Sequence, residues 1–446
     1  MPQTQPTPTE IQAEVHRLLR AIRSRRARVT VIGQGYVGLT VAAAAADAGF
    51  SVMGVDLDEA RIRSLSNATL VVPGVDETLF RAAVESQRLS FTAGYEVSGE
   101  SEVVLICVPT PVTNGAPDLS HVKAACADLA VNLTAGTLVV LESTTYPGTT
   151  DEVVCPILER SGLRPGEDFF LAYSPERIDP GNRVFGMRNT PRIVAGTTDD
   201  ALRLAVAFYE HLVDSVVPVS SPRTAELAKL LENTFRHVNI ALVNEMAQLC
   251  HDMSIDIFEV VDAAATKPFG FMPFYPGPGV GGHCVPLDPT YLAWQVRRDA
   301  GRRFGLLEQA QDVNEGMPNY VASRIGEALN DVDKPVKGSK ILVLGVTYKP
   351  DVGDVRESSS LRVMEVLYRR GAQVRFSDPF VDEARFDEGS VASSKLTEGA
   401  IREADCVVIL TPHSTYDLDA IARLASLVFD ARNAYNRPLP MNVVSL

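Results

Sequence analysis

The sequence predicts an α/β protein: two doubly wound halves joined by a long central helix and a helical middle. Three observations carry that expectation. A strand–helix–strand run begins at Arg28 and turns on glycines. A run of similar pattern begins near Ser339. Between them, Pro222 to Met253 contains no glycine and no further proline. At 1.5 Å per residue that segment makes a helix of roughly 48 Å. The boundaries that follow are an extension at 1–26, a first half at 27–220, a helical middle at 221–330 and a second half at 331–446.

Residues 1–9 are rich in Pro, Thr and Gln and predict disorder. Residues 10–26 read as a short basic helix forming a solvated extension. ARVTVIG then predicts a strand, GYVGLTVAAAAADAG a helix and SVMGVD a strand, a βαβ unit. VVLICVPTP, LSHVKAACADLAVNL and LVVLEST continue the alternation. Pro222 suits the first turn of the long helix. DIFEVVDAAA and PTYLAWQVRRDAG predict two further helices around a glycine-rich loop. In the last third, SKILVLG, LRVMEVLYRRG, AQVRFSDP, ADCVVILTPH and LVFDARN repeat the first third in outline. Both thirds have a strand ending in Gly, a helix ending in Gly, a strand ending in Asp and a Val-rich strand ending in Thr-Pro.

The 446 residues carry a net charge of −14, which argues against nucleic acid as the main partner. No apolar run reaches membrane-span length, and MPQTQPTPTE lacks a signal-peptide core, so the expected compartment is the cytoplasm. The six cysteines are then expected as free thiols. Cys107 and Cys406 lie in strand-like runs, and Cys126, Cys155 and Cys250 in helix-like ones; all five read as core. Cys284 differs. It sits in Pro276–Asp288, PGPGVGGHCVPLD, among four glycines and three prolines. Glycine permits close approach to the backbone, so this thiol reads as a nucleophile beside a substrate. His283-Cys284 lacks the partner spacing of a metal site.

Gly33-Gln34-Gly35-Tyr36-Val37-Gly38 is a G-x-G-x-x-G between a strand and a helix, and Asp56 ends the next strand 18 residues later. In that context the motif predicts a dinucleotide site. Gly33 makes the turn, Gly35 admits the pyrophosphate to the helix N-terminus and Gly38 lets helix and strand pack. Asp56 selects NAD by meeting the ribose hydroxyls; nearby Arg61 is the residue that favours NADP. The second half has Lys349 and Arg356 where the first has glycines, which suggests an anionic ligand there. On the long helix Glu226, Lys229 and Asn233 share a face. Lys229 reads either as a snorkelling surface residue or, with Asn233, as an oxyanion stabiliser. Phe235, Ile240, Leu242 and Val243 read as apolar packing. Asp288, four residues after Cys284, is placed to take a proton.

These segments resemble the UDP-sugar 6-dehydrogenases from about Arg28 to Arg432. The marks are GQGYVG, VPTP at 108–111, ESTTYPGTT at 142–150, SPER at 174–177, ELAKLLENTFRHVNIALVNE at 226–245, GGHCVPLDP at 281–289 and GVTYKPDVGDVRES at 345–358. TKPFGFMPFYPGPGVGGHC and SPERIDPGN are most similar to the branch acting on UDP-N-acetylglucosamine. The resemblance implies two Rossmann-like domains, a central dimerisation segment, and four-electron NAD-dependent oxidation of the sugar C6 alcohol. It implies Cys284 as nucleophile and Lys229 and Asn233 as oxyanion stabilisers, with Lys229 also a proton acceptor. Asp288 assists proton transfer or thioester hydrolysis, and Thr144 and Glu176 hold water. Gly33, Gly35, Tyr36, Val37, Gly38, Asp56, Arg61, Thr110, Thr144 and Arg356 are the implied cofactor residues. Glu176, Arg177, Lys229, Asn233, Gly281 and Lys349 are the implied substrate residues. The implied partners are a UDP-sugar and further copies of the chain.

Two departures stand out. Members acting on UDP-glucose often carry a second carboxylate where this chain has Pro180. They also often carry a cross-subunit Arg where it has Pro268-Phe269-Gly270-Phe271. UDP-glucose, UDP-N-acetylgalactosamine and UDP-N-acetylmannosamine stay open as substrates. So do a two-electron hydroxyacid dehydrogenase, which needs Lys229 but not Cys284, and a non-catalytic NAD sensor.

Overall fold

The computed structural model describes residues 8–446, apart from 114, 180, 181, 183, 283, 387 and 388 and the side chains of Pro8 and Cys284. Pro180 and His283 therefore lie outside the described residues. The chain divides into two units: 1–232 with 290–295, and 233–289 with 296–446.

The first unit is built on an eight-stranded sheet. Its strands are β1 (Arg28–Ile32), β2 (Ser51–Val55), β3 (Leu89–Thr92), β4 (Val103–Ile106), β5 (Thr137–Leu141), β6 (Phe169–Tyr173), β7 (Arg192–Gly196) and β8 (Val216–Pro218). They lie in the order β8-β7-β6-β5-β4-β1-β2-β3. All pairs are parallel except β6 with β7. Parallel strands need crossovers, and helices α2 (Tyr36–Asp47) and α3 (Ser120–Asn132) supply two of them. Successive side chains point to opposite faces, so Val29, Val31, Val103 and Leu105 join one core layer and Ile32, Val104 and Ile106 the other. Both faces are covered, which is why these strands read as continuous apolar runs.

The amino-terminal reading needs correction. Pro8–Arg23 is a helix, α1, and it is no solvated extension. Val15, Leu18, Leu19 and Ile22 stand at i, i+3, i+4 and i+7 and are buried in the first core layer. They pack on helix α4 (Asp199–Tyr209), and Gln12 reaches Asp200 at 2.9 Å.

Helix α5 runs from Pro222 to Asp252 as one element of 31 residues. The second unit holds its carboxyl-terminal part, then α6 (Ile257–Ala265), the amino-terminal end of α7 (Cys284–Ala300) and α8 (Gly305–Asn330). Its sheet has strands β9 (Lys340–Leu344), β10 (Gln373–Ser377), β11 (Cys406–Ile409), β12 (Val428–Asp430) and β13 (Val443–Ser445), all parallel, in the order β10-β9-β11-β12-β13. Helix α9 (Ser359–Arg369) lies on one face; α10 (Glu398–Glu403) and α11 (Leu418–Leu424) lie on the other. Phe235 and Leu242, read as packing, are 46% and 55% exposed. Leu227, Leu231 and Leu249 are exposed with them, in an apolar stripe along α5. Among the described residues, no helix is long and apolar enough to cross a membrane.

Candidate active site

The turn from β1 into α2 is shaped by its glycines. Gly33 has φ +92°, and a Cβ there would lie 2.7 Å from the Cys107 carbonyl oxygen. A Cβ on Gly38 would strike the Gly33 carbonyl at 1.8 Å. Gly35 is different: a Cβ there meets nothing within 4 Å. It is also the N-cap of α2 and offers no side-chain cap to the first turn, which Tyr36 and Val37 begin. Protein atoms thus leave room at a helix N-terminus, which suits a pyrophosphate.

Asp56 follows β2. Its Oδ2 accepts from the Gln34 N–H at 2.8 Å and pairs with Arg61 Nη1 at 2.9 Å; its Oδ1 accepts from the Asp58 N–H at 2.9 Å. The Arg61 guanidinium is therefore already neutralised by the carboxylate that repels a 2′-phosphate, an arrangement fitting NAD. The Thr110 hydroxyl donates to the Thr144 carbonyl at 2.8 Å, and the Tyr291 hydroxyl donates to the Thr110 carbonyl. Thr144 is half-buried.

Glu176 is held at both oxygens. Oε1 accepts the N–H groups of Arg177, at 2.6 Å, and Ile178; Oε2 accepts from Arg192 Nη1 at 2.8 Å. The Arg177 guanidinium pairs with Glu232 at 2.7 Å and donates to the Pro191 carbonyl, so it is anchored within its own unit. On α5, Glu226 is buried and accepts from the N–H groups of Gly148 and Thr150 and the Thr150 hydroxyl. Burial pushes its carboxyl upward, against those three donors. Lys229, one turn on, is only 8% exposed and makes no ion pair among the described residues, which removes the snorkelling reading.

In the second unit, α7 begins at Cys284. The sequence reading left that cysteine inside the glycine loop; its backbone instead opens a helix. Asp288 lies one turn along α7. The Asn233 amide donates to the Asp288 carboxylate at 2.5 Å, and both side chains are buried. The glycines before Cys284 have a packing task that the sequence reading did not give them. A Cβ on Gly281 would lie 2.8 Å from the Tyr348 Cβ and 2.9 Å from the Glu357 carbonyl; one on Gly282 would strike the Tyr348 ring. The Gly282 N–H also donates to the Arg356 carbonyl at 3.0 Å. They let the loop press against 348–357.

Arg356 pairs in bidentate fashion with Asp354. Lys349 is half-buried in the loop after β9. Sequence reasoning passed over Arg432, which follows β12, donates to the Leu410 carbonyl and is drawn down by burial to about 10. Its only sequence signal is position, at the carboxyl end of a strand in a doubly wound half. A crevice of about 590 Å³ opens between β10, α10 and α11. Asp378, Asp382, Glu398 and Asp417 line it against Lys395 alone, so it repels a diphosphate. Among the described residues no cluster of His, Cys, Asp and Glu fits a metal ion.

Comparison with known proteins gives a consistent result. Three family models match in order: the NAD binding domain of the UDP-glucose/GDP-mannose dehydrogenase family over 27–213, its central domain over 223–316 and its UDP binding domain over 342–437. The chain is 35% identical to UDP-N-acetyl-D-mannosamine dehydrogenase of Pyrococcus horikoshii, over 92% of this chain and 96% of that one. It is 34% identical to UDP-N-acetyl-D-glucosamine 6-dehydrogenase of Pseudomonas aeruginosa, over 87% and 91%. A solved structure of UDP-D-ManNAc dehydrogenase from Pyrococcus horikoshii superposes with a TM-score of 0.84 at 33% identity, covering 94% of this chain and 98% of that one. The open helix terminus at Gly35, the Asp56 carboxylate and these matches agree: the chain belongs to the UDP-glucose/GDP-mannose dehydrogenase family, as an NAD-dependent UDP-sugar dehydrogenase.

Proposed function

We propose that the protein oxidises the C6 hydroxyl of a UDP-N-acetylhexosamine to the carboxylate, in two two-electron steps through a thioester on Cys284. The observation that carries this reading is the start of α7. The helix opens on Cys284 and presents Asp288 one turn later, hydrogen-bonded to Asn233. A helix N-terminus favours a thiolate over a thiol.

Gly33, Gly35, Gly38 and Asp56 would hold NAD⁺, which would supply the hydride acceptor for each of the two oxidations at C6. Lys229 and Asn233 lie one turn apart on α5. The Lys229 amine takes the proton of the alcohol, and the ammonium so formed, with the second amide hydrogen of Asn233, stabilises the C6 oxyanion. The Cys284 thiolate adds to the aldehyde carbon, which gives a thiohemiacetal and then, after hydride loss, the thioester. Thr144 and Glu176 order the water that attacks it, and Asp288 takes that water's proton. Water oxygen ends on C6 and the thiol is regenerated. Lys349 meets the UDP moiety, joined by Arg432.

The 2-acetamido group is supported by the names of the relatives, mannosamine at 35% identity and glucosamine at 34%. Nearly equal identities support no choice of C2 epimer. The exposed stripe Leu227, Leu231, Phe235, Leu242 and Leu249 supports a homodimer joined along α5.

A panel of UDP-sugars with NAD⁺ tests the reading. Turnover of UDP-N-acetylglucosamine or its C2 epimer should exceed that of UDP-glucose, with two NADH per sugar. Cys284→Ser should still bind NAD⁺ and UDP-sugar but lose the second oxidation or product release by several orders of magnitude. A tenfold preference for UDP-glucose, about 1.4 kcal/mol, defeats the substrate assignment. Near wild-type completion by Cys284→Ser defeats the covalent route. One NADH per sugar restores the two-electron alternative, which the matched family does not favour.

A further inference from the structure

A buried charged row lies behind Glu176, and the reaction as described leaves it without a task. It follows the carboxyl edge of the first sheet. Glu142 comes just after β5, Ser174 and Glu176 just after β6, Arg192 begins the antiparallel β7 and Tyr209 ends α4. Arg192 is the hub, its side chain 3% exposed. Nη1 donates to Glu176 Oε2 and Nε to the Ser174 hydroxyl, each at 2.8 Å, and Nη2 forms an ion pair with Glu142 Oε2 at 2.6 Å without hydrogen-bond alignment. The Tyr209 hydroxyl donates to Glu142 Oε1 at 2.5 Å, and the guanidinium stands over the Tyr209 ring, 5.0 Å from its centre.

Such a cluster is a poor way to gain stability. Taking one guanidinium and two carboxylates out of water offsets most of their attraction, and apolar residues of similar volume often serve as well. What the arrangement does provide is direction. A planar guanidinium sends its donors out at set angles, here Nη1 to Glu176 and Nε to Ser174, whereas an ammonium is a point charge. Glu176 has its other oxygen on two backbone N–H groups, so Arg192 removes its last rotational freedom.

We propose that Arg192 is a positioning residue for the reaction. It fixes the Glu176 carboxylate in one orientation, and Glu142 with Tyr209 is the brace that fixes Arg192. Glu176 then acts as a stationary hydrogen-bond acceptor for water and not as a group that swings to shuttle a proton. This rests on the reading above that Glu176 orders the attacking water.

The test compares Glu176→Gln, Arg192→Ala, Arg192→Lys and Tyr209→Phe in the intact enzyme, with circular dichroism and melting as fold controls. A misplaced water lowers kcat, so Arg192→Ala should lose about 10–100-fold in kcat. KM for NAD⁺ and UDP-sugar should stay within about threefold, because ground-state binding is untouched. Millimolar guanidinium should restore part of that kcat, and urea, of the same shape without the charge, should not. Arg192→Lys should recover only part of the rate, and Tyr209→Phe should lose less than Arg192→Ala. Equal effects of guanidinium and urea, or a rise in KM at unchanged kcat, overturn the proposal. If Arg192→Ala does not fold, Arg192→Lys decides, and wild-type kcat there also overturns it. Wild-type kcat in Glu176→Gln would sink the Glu176 role itself, and this proposal with it. An impaired Glu176→Gln beside a fully active Arg192→Lys would sink the positioning role alone.

Discussion

Removing the Asp56 carboxylate should change which cofactor the enzyme uses, and the structure sets the size of the change. Asp56 carries three protein contacts: the N–H groups of Gln34 and Asp58 and the Arg61 guanidinium. A ribose hydroxyl donating to this carboxylate makes a charge-assisted bond of about 1.5–3 kcal/mol. At about 1.36 kcal/mol per tenfold, Asp56→Ala should lower kcat/KM for NAD⁺ by roughly 10–100-fold. The same substitution releases Arg61, now 2.9 Å from Asp56 Oδ2, to meet a 2′-phosphate. The ratio of kcat/KM for NAD⁺ over NADP⁺ should therefore fall further than the NAD⁺ value alone. Ala also strands two backbone donors, which costs about 1–3 kcal/mol each where they are buried. Asp56→Asn keeps an acceptor for one of them and should retain more stability with most of the cofactor effect. Adding Arg61→Ala should abolish the gain with NADP⁺. Initial rates with both cofactors at saturating UDP-sugar, beside a melting curve, measure all of this. A cofactor ratio within about threefold of wild type in both single variants would refute the reasoning, since such a change is under 1 kcal/mol.

Gly35→Ala should leave the melting temperature almost unchanged, because its Cβ meets nothing within 4 Å at an ordinary φ of −76°. It should still weaken NAD⁺ binding by about tenfold or more by crowding the pyrophosphate, read by titration calorimetry; an unchanged Kd argues against the cradle. Glu226→Ala should destabilise the fold by about 2–5 kcal/mol by stranding the donors of Gly148 and Thr150, measured by denaturant unfolding. Glu226→Gln should lose less, since it keeps an acceptor and sheds a charge that burial disfavours. Light scattering tests the proposed α5 dimer: wild type should run as a dimer and Leu242→Glu, on the exposed stripe, as a folded monomer, and equal masses for the two would sink that contact.

What the sequence made legible follows range of interaction. Both βαβ halves were readable because their signals are local: an apolar strand, a terminal glycine, a helix and a strand ending in Asp. Helix α1 was read as a helix but wrongly as solvated, although Val15, Leu18, Leu19 and Ile22 show the spacing of a buried face, because the segment is short and strongly basic. The surface that covers its apolar stripe comes from α4, nearly two hundred residues away. The packing task of the glycines at 281 and 282 was missed for the same reason. Glycine in a loop reports that something comes close, and only the fold shows that it is Tyr348 and Glu357. On α5, periodicity marked Phe235 and Leu242 as apolar, but no pattern within one chain tells a face covered by that chain from one left open. The Arg192 row had no sequence signal, since Glu142, Glu176, Arg192 and Tyr209 meet only when the strands align.

The two halves also show what an acidic residue at the end of a strand is for. Asp378 repeats Asp56 in detail. Its Oδ2 accepts from the Val346 N–H at 2.7 Å and its Oδ1 from the Phe380 N–H at 2.8 Å, against 2.8 and 2.9 Å for Asp56 with Gln34 and Asp58. Gly33 and Gly345, with φ of +92° and +77°, both abut a backbone carbonyl beyond the central strand of their sheet, Cys107 and Thr411. The aspartate is thus first a clamp on the turn after the leading strand, and this role is common to both halves. Its other partners differ. Asp378 faces His413, whose Nδ1 accepts from the Asp351 N–H, so the proton sits on Nε2 and is shared with Asp378 at 3.0 Å. Burial opposes the charge on Asp378, but these donors outweigh it and hold its carboxyl below the usual range. Where the first half has Gly35 and Gly38, the second has Thr347 and Pro350, and the Thr347 hydroxyl closes the loop on the Lys349 carbonyl. The clamp survives without the phosphate cradle. An aspartate at a strand end therefore marks the fold, and a dinucleotide site needs the glycines as well.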